Sequence, residues 1–405
     1  MIVWLHGGSF KDGGGHLYPA QRLATRGDAV VVTVNYRLGA LGFLAHPLLG
    51  EARASGNFGL ADQQAALRWV HDNAAAFGGD SRNVTLAGES AGAISTCAHL
   101  AAPSSAGLFH RAILQSGPCV AGGSGNDPRP RRTAEDQGQR LVASLGLGTH
   151  VTAAQLRDPR LVTPEKLLSA AATTDTAFGP VVGAGLLPVG PEPAIAAGRI
   201  NRVPVLHGIN RDEQRLQVWG YELARYEGPV PADRYTAEIR QRFGGDATRV
   251  LLRYPLNRYD SASHALAAVL TDSQQAASTV ETARLLSRRV PTFTYEFADD
   301  RAPWFRDFPE PYPMGAYHAA ELPYLFDVGN IEPLDEAQRR LADHMIDYWA
   351  SFARAGVPAV PGAPAWAPGT PGRLSVLALD TGGNGIEVTD FTVRHQHEFW
   401  STVKT

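Results

Sequence analysis

Residues 83–92 read Asn83-Val84-Thr85-Leu86-Ala87-Gly88-Glu89-Ser90-Ala91-Gly92, an apolar run that passes directly into Gly-x-Ser-x-Gly. A small-residue segment, Ala93-Ile94-Ser95-Thr96, follows it. A strand can turn this sharply into a helix only where the flanking residues let the two backbones pack closely. Such a turn holds the Ser90 hydroxyl above the C-terminal edge of a sheet, with the first amides of the helix behind it. That is a nucleophile's position. Taken alone the pattern is weak, because a plain glycine-rich turn also satisfies it, so the rest of the chain decides.

Apolar, β-branched runs recur at residues 2–5, 29–35, 83–87, 111–115, 203–208, 291–297 and 375–380. Several are continuously hydrophobic, as expected of strands covered on both faces. Helical segments separate them. Residues 59–77 carry Leu60, Gln64, Leu67, Val70 and Ala74 on one stripe, and residues 341–355 form a second such segment. Alternating strand and helix predicts the α/β class with a mostly parallel sheet. We expect one domain over residues 1–405, with helical cap insertions at about 151–172 and 221–289. Residues 122–132, rich in Gly, Pro and Arg, read as an exposed loop, and residues 358–371 as a proline-rich extended one.

Composition narrows the partners. With 405 residues, 44% of them hydrophobic, there is ample material for a core, and a net charge of -3 argues against nucleic acid or an anionic membrane. No apolar run approaches a membrane span, and no signal-peptide pattern is present. Arginine far exceeds lysine and alanine and glycine are abundant, the composition of a high-GC bacterial genome. Cys97 and Cys119 make neither a metal pattern nor a disulfide framework and read as small buried hydrophobes, which leaves the compartment open. No metal or organic cofactor is implied. Oligomeric state is not legible.

A serine hydroxyl needs a general base, an acid to orient that base, and donors for the oxyanion. His6-Gly7-Gly8-Ser9-Phe10 follows the first strand, and its glycines allow backbone N–H groups to face a cavity. His6 reads as a structural anchor of that loop. In α/β enzymes of this type the acid and then the histidine follow the serine. The acid belongs after the strand at 203–208, where spacing does not choose between Asp212 and Glu213. Among the later histidines, His344, His395 and His397 lie in helical or amphipathic stretches and His264 in a helical cap segment. His318 lies in a loop, Gly315-Ala316-Tyr317-His318-Ala319-Ala320-Glu321, which suits a base that must reach the sheet's edge.

These segments resemble the type B carboxylesterase family, the group that includes bacterial p-nitrobenzyl-type esterases and the cholinesterases. The matching stretches are Val3-Trp4-Leu5-His6-Gly7-Gly8, Gly56-Asn57-Phe58-Gly59-Leu60-Ala61-Asp62-Gln63, Gly88-Glu89-Ser90-Ala91-Gly92, Leu114-Gln115-Ser116-Gly117, Asn210-Arg211-Asp212-Glu213 and residues 318–326. Further matches run from Trp349 to Trp366, so the likeness spans nearly the whole chain. The resemblance implies an α/β-hydrolase fold and hydrolysis of small carboxylic esters. It implies Ser90 as nucleophile, Glu213 as acid and His318 as base, with backbone N–H groups of Gly8, Ser9 and Ala91 as oxyanion donors. Glu89, Ser116 and Glu321 would support the site from behind.

The chain also departs from the family pattern. Ser9 stands where glycine or alanine is usual, and Gln214 replaces a glycine, which strains the acid turn if that position needs positive φ. The family carries a substantial section ahead of the first strand found here. Met1 stands where relatives have valine, and GTG encodes both valine and a bacterial start, so we expect an assigned start that falls too late. The rival readings are an inactive truncated product and a non-catalytic binding protein on the same scaffold.

Overall fold

The computed structural model describes residues 1–50, 55–122, 127–148, 150–174, 176–183, 185–226, 228–382 and 385–403. The chain divides into two compact units, the first formed by Met1–Tyr18 and Ala29–Val205, the second by Pro19–Asp28 and Leu206–Thr405.

In the first unit, β1 (Ile2–Leu5), β2 (Val31–Val34), β3 (Thr85–Glu89) and β4 (Arg111–Gln115) lie in the order β4-β3-β1-β2. All three pairings are parallel, with Ile2 opposite both Val31 and Thr85, and Thr85 opposite Arg111. Every residue of β1 and β3 is buried, which explains their unbroken apolar character. The helix Ala91–Ala101, buried along its whole length, packs on β1, β3 and β4. No charged residue occurs in it, as full burial requires.

The expected loop at 122–132 is corrected in part. Residues 123–126 lie outside the described residues, but Arg129–Pro130 form β5, paired in parallel with β6 (Val181–Val182), and a helix starts at Arg131. The Arg129 guanidinium donates to the carbonyl of Ala177 at 2.6 Å. A partner 48 residues away is invisible to local composition.

In the second unit, β7 (Val205–Asn210), β8 (Thr292–Phe297), β9 (Val376–Leu379) and β10 (Glu387–Thr389) lie side by side in that order. β8 and β9 are parallel, and β10 closes antiparallel on β9. The helix Glu336–Ala355 opens on a capping box between Asp335 and Gln338 and stops at Gly356, in the left-handed conformation. The helix Gln21–Gly27 packs along it, with Arg22 paired to Asp343 at 2.9 Å and Arg26 to Asp347 at 2.7 Å. Helices Ala232–Phe243, Ala247–Arg253 and Ala262–Leu270 share one apolar cluster with Trp400.

One polar cluster stands inside this unit. His395 lies between Asp272, at 2.6 Å from Nδ1, and Glu296, at 2.7 Å from Nε2. Tyr254 donates its hydroxyl to Asp272 at 2.6 Å and accepts from the Trp400 indole at 2.6 Å. Burial opposes a charge on His395, yet the bonds to the two carboxylates outweigh it and raise its pKa to about 9. A histidine raised in the folded state adds stability that is full below its unfolded pKa and lost as pH rises through the folded one. Melting temperature is therefore expected to fall between about pH 6.5 and pH 9. His395→Gln should flatten that slope in a thermal melt series, and a slope unchanged by the substitution would contradict the assignment.

Candidate active site

The turn after β3 has the predicted geometry. Ser90 sits at φ 55°, ψ -121°, immediately before the helix Ala91–Ala101. Few non-glycine residues adopt this conformation, and it is held here by close packing on both sides. A Cβ on Gly92 would come within 1.9 Å of the Leu5 carbonyl oxygen, and one on Gly88 within 2.5 Å of the Gly92 carbonyl carbon. The Ser90 amide donates to the Gln115 carbonyl at 2.8 Å, tying the turn to the end of β4. Ala91 opens the helix, so its N–H has no carbonyl partner within the helix.

The loop after β1 lies against this turn. A Cβ on Gly7 would fall 3.0 Å from the Ser90 Cβ and 2.5 Å from the Glu89 carboxylate, which places Glu89 beneath the loop. Gly8 has φ +109°, and a side chain there would meet the Asp12 carbonyl at 2.1 Å. Ser9 and Phe10 follow at φ 54° and 59°, so three successive residues take positive φ. His6 acts as the anchor that the sequence suggested. Its Nδ1 lies 2.8 Å from the Gly7 carbonyl oxygen, its ring stacks on Tyr36 at 4.4 Å, and the Tyr36 hydroxyl donates to the His6 carbonyl. Burial lowers its pKa and keeps the ring neutral. Ser116, at φ 51°, is buried at the end of β4, its Oγ without a hydrogen-bond partner among the described residues.

In the second unit the structure separates Asp212 from Glu213. The Glu213 carboxylate is fully buried and meets His318 Nδ1 at 2.6 Å. Its other oxygen accepts from the Asn210 amide at 2.8 Å, and the His318 amide donates to the Glu213 carbonyl. Asn210 is held in turn, its side chain donating to Glu321 and to the Tyr317 carbonyl, both at 2.7 Å. Asn210 thus links Glu321 to Glu213. Asp212 faces another way, pairing with Arg215 at 2.8 Å and accepting from the Ala316 amide at 3.0 Å. Gln214 takes φ -87°, an ordinary value, so the expected strain is absent. The residue stands at the N-cap position of the helix Arg215–Tyr221, without a side-chain cap bond, and needs no glycine there. His264 lies beside Asp260 and His395 in its carboxylate cluster.

The cysteines are a second correction. Cys97 and Cys119 form a disulfide, with Cα atoms 5.3 Å apart. Their spacing of 22 residues carries no distance information, which is why composition failed to find the bond. The available signal was topological: Cys97 lies on the helix after β3, and Cys119 just beyond β4, the neighbouring strand. Among the described residues no group of His, Cys, Asp or Glu is arranged to hold a metal, and no helix is long and apolar enough to cross a membrane.

A profile of the carboxylesterase family matches residues 1–400. The chain belongs to the carboxylesterase family. It is 34% identical over 379 residues to the para-nitrobenzyl esterase of Bacillus subtilis strain 168, covering 88% of this chain and 71% of that protein. It is 32% identical over 372 residues to a cocaine esterase of Oryctolagus cuniculus, covering 87% and 67%. A solved structure titled as a thermophilic PNB esterase superposes with a TM-score of 0.78 at 29% identity, over 98% of this chain and 80% of that one. The fold of this chain is accordingly that of the α/β-hydrolases, and family membership supports ester hydrolysis in general. For the disulfide, the folded protein should present no reactive thiol until denatured and reduced, when two appear in a thiol titration. Replacing both cysteines by serine is expected to cost about 2–4 kcal/mol in denaturant unfolding. Thiols that react freely in the native protein would refute the bond.

Proposed function

We propose that this chain is a serine carboxylesterase working through an acyl-enzyme on Ser90. His318 takes the Ser90 proton as the hydroxyl oxygen attacks the ester carbonyl. Backbone N–H groups of Gly8, Ser9 and Ala91 stabilise the resulting oxyanion. His318 then gives its proton to the leaving alcohol as the carbon–oxygen bond breaks. Water repeats the attack, losing a proton to His318, and the acid departs as Ser90 is restored. Glu213 fixes the imidazole tautomer and stabilises the imidazolium. The substrates are small carboxylic esters, and the name of the Bacillus subtilis relative makes aryl and benzyl esters the first to test.

The observation that carries this reading is the Ser90 backbone at φ 55°, an unfavourable conformation kept at the head of a buried helix. The 2.6 Å contact between Glu213 and His318 supports the acid and base roles, since a buried carboxylate on Nδ1 leaves Nε2 as the exchanging nitrogen. Ser90→Ala is expected to lower kcat on a short p-nitrophenyl ester by roughly 10⁴- to 10⁶-fold with little change in folding. Activity within tenfold of the parent would overturn the proposal.

A further inference from the structure

A cavity of about 360 Å³ opens in the second unit, and Arg211, Arg215, Arg258, Arg394 and His264 line it. Its cations outnumber the carboxylates available to them. Arg211 and Arg215 share the single carboxylate of Asp212, at 3.5 and 2.8 Å. Arg394 pairs with Glu296, which is also bonded to His395. Asp272 is taken by His395 and Tyr254. Arg258 has no carboxylate within ion-pair distance among the described residues. Asp260 is largely solvated, at 89% side-chain exposure, and so offsets little of this charge.

The second observation is His264. Only 6% exposed, it has an Nε2 atom with no hydrogen-bond partner among the described residues. Buried polar atoms are nearly always satisfied, and this one is closed to solvent, so it gains a partner only when the ring turns toward a ligand in the cavity that His264 lines. Burial, and then the charge of Arg215, lower its pKa, a bias that a bound anion would relieve.

We infer that this cavity is a binding site for a small multivalent oxyanion, a phosphate or a polycarboxylate, that acts on the acid–histidine pair. Guanidinium groups suit both, since each offers paired N–H donors to two oxygens. The link to the pair is short. Arg215 donates to the Pro313 carbonyl at 2.8 Å while pairing with Asp212, which accepts from the Ala316 amide. The Asp212 amide in turn donates to the Ala316 carbonyl at 2.9 Å. This clamp joins the residue before Glu213 to the loop that ends in His318. An anion drawing Arg215 and Arg211 toward itself competes with Asp212 for them, and so loosens or resets the clamp. The coupling rests on the catalytic roles proposed for Glu213 and His318, whereas the binding site does not.

The test is isothermal titration of inorganic phosphate and, separately, citrate into the whole protein, at ionic strength held constant with sodium chloride. One of the two should bind saturably at one site. Arg258→Gln and His264→Leu should each weaken that binding at least tenfold while their far-ultraviolet spectra stay those of the parent. Ester turnover should change with a half-maximal concentration equal to the measured Kd. Heats that fail to saturate, or binding unaffected in both variants, would overturn the site. Saturable binding with kcat and KM unmoved would overturn the coupling alone. Should the protein prove to have no esterase activity, the titration still decides the site.

Discussion

The Cα of Gly92 rests against the carbonyl oxygen of Leu5 so closely that one added methyl group would come within 1.9 Å of it. That contact binds the start of a buried helix to the end of β1, across the turn from β3. Three consequences follow from it. Ser90 is forced to φ 55°, the loop after β1 is brought against the serine, and the helix must be built from small uncharged residues over its first turns. The cost of the unfavourable backbone, of order 1–3 kcal/mol, is met by burial of the whole helix on three strands. The Cys97–Cys119 bond adds a covalent tie between the same helix and the segment after β4.

The second unit solves a different problem. It must hold the Glu213 carboxyl group where no water reaches it. Glu213 manages this through a bond from the Asn210 amide on one oxygen and His318 on the other, while Asn210 is itself pinned by Glu321 and the Tyr317 carbonyl. A buried carboxylate so satisfied loses little by desolvation, and it orients the imidazole through one nitrogen. Asp212, one residue earlier, performs a mechanical task instead, joining the acid turn to residues 313–316 through Arg215 and the Ala316 amide.

Much of this was legible in the sequence because it depends on local sterics or on unbroken burial. All seven apolar runs are strands, and the Gly-x-Ser-x-Gly turn has the strained serine that its glycines allow. Features set by distant partners were not legible. Arg129 lies in a short strand pair and donates to carbonyls 48 and 50 residues on, and β10 carries too few residues for a periodic signal. The disulfide needed knowledge that β3 and β4 are neighbours. The choice of Glu213 over Asp212 came from resemblance rather than from spacing, since adjacent acids in a turn differ only in where the backbone points them. Gln214 shows the reverse error: a missing glycine suggested strain, and the backbone there has none.

The claim on which the rest of the functional account turns is that Ser90 is the nucleophile. Treating the folded protein with a serine-directed organophosphate and mapping the adduct by peptide mass spectrometry tests it most directly. One phosphonyl group per chain, carried by the peptide containing Ser90 and absent after denaturation before labelling, is the expected result. Labelling confined to another residue, or no labelling of a protein that is folded by circular dichroism, would contradict it.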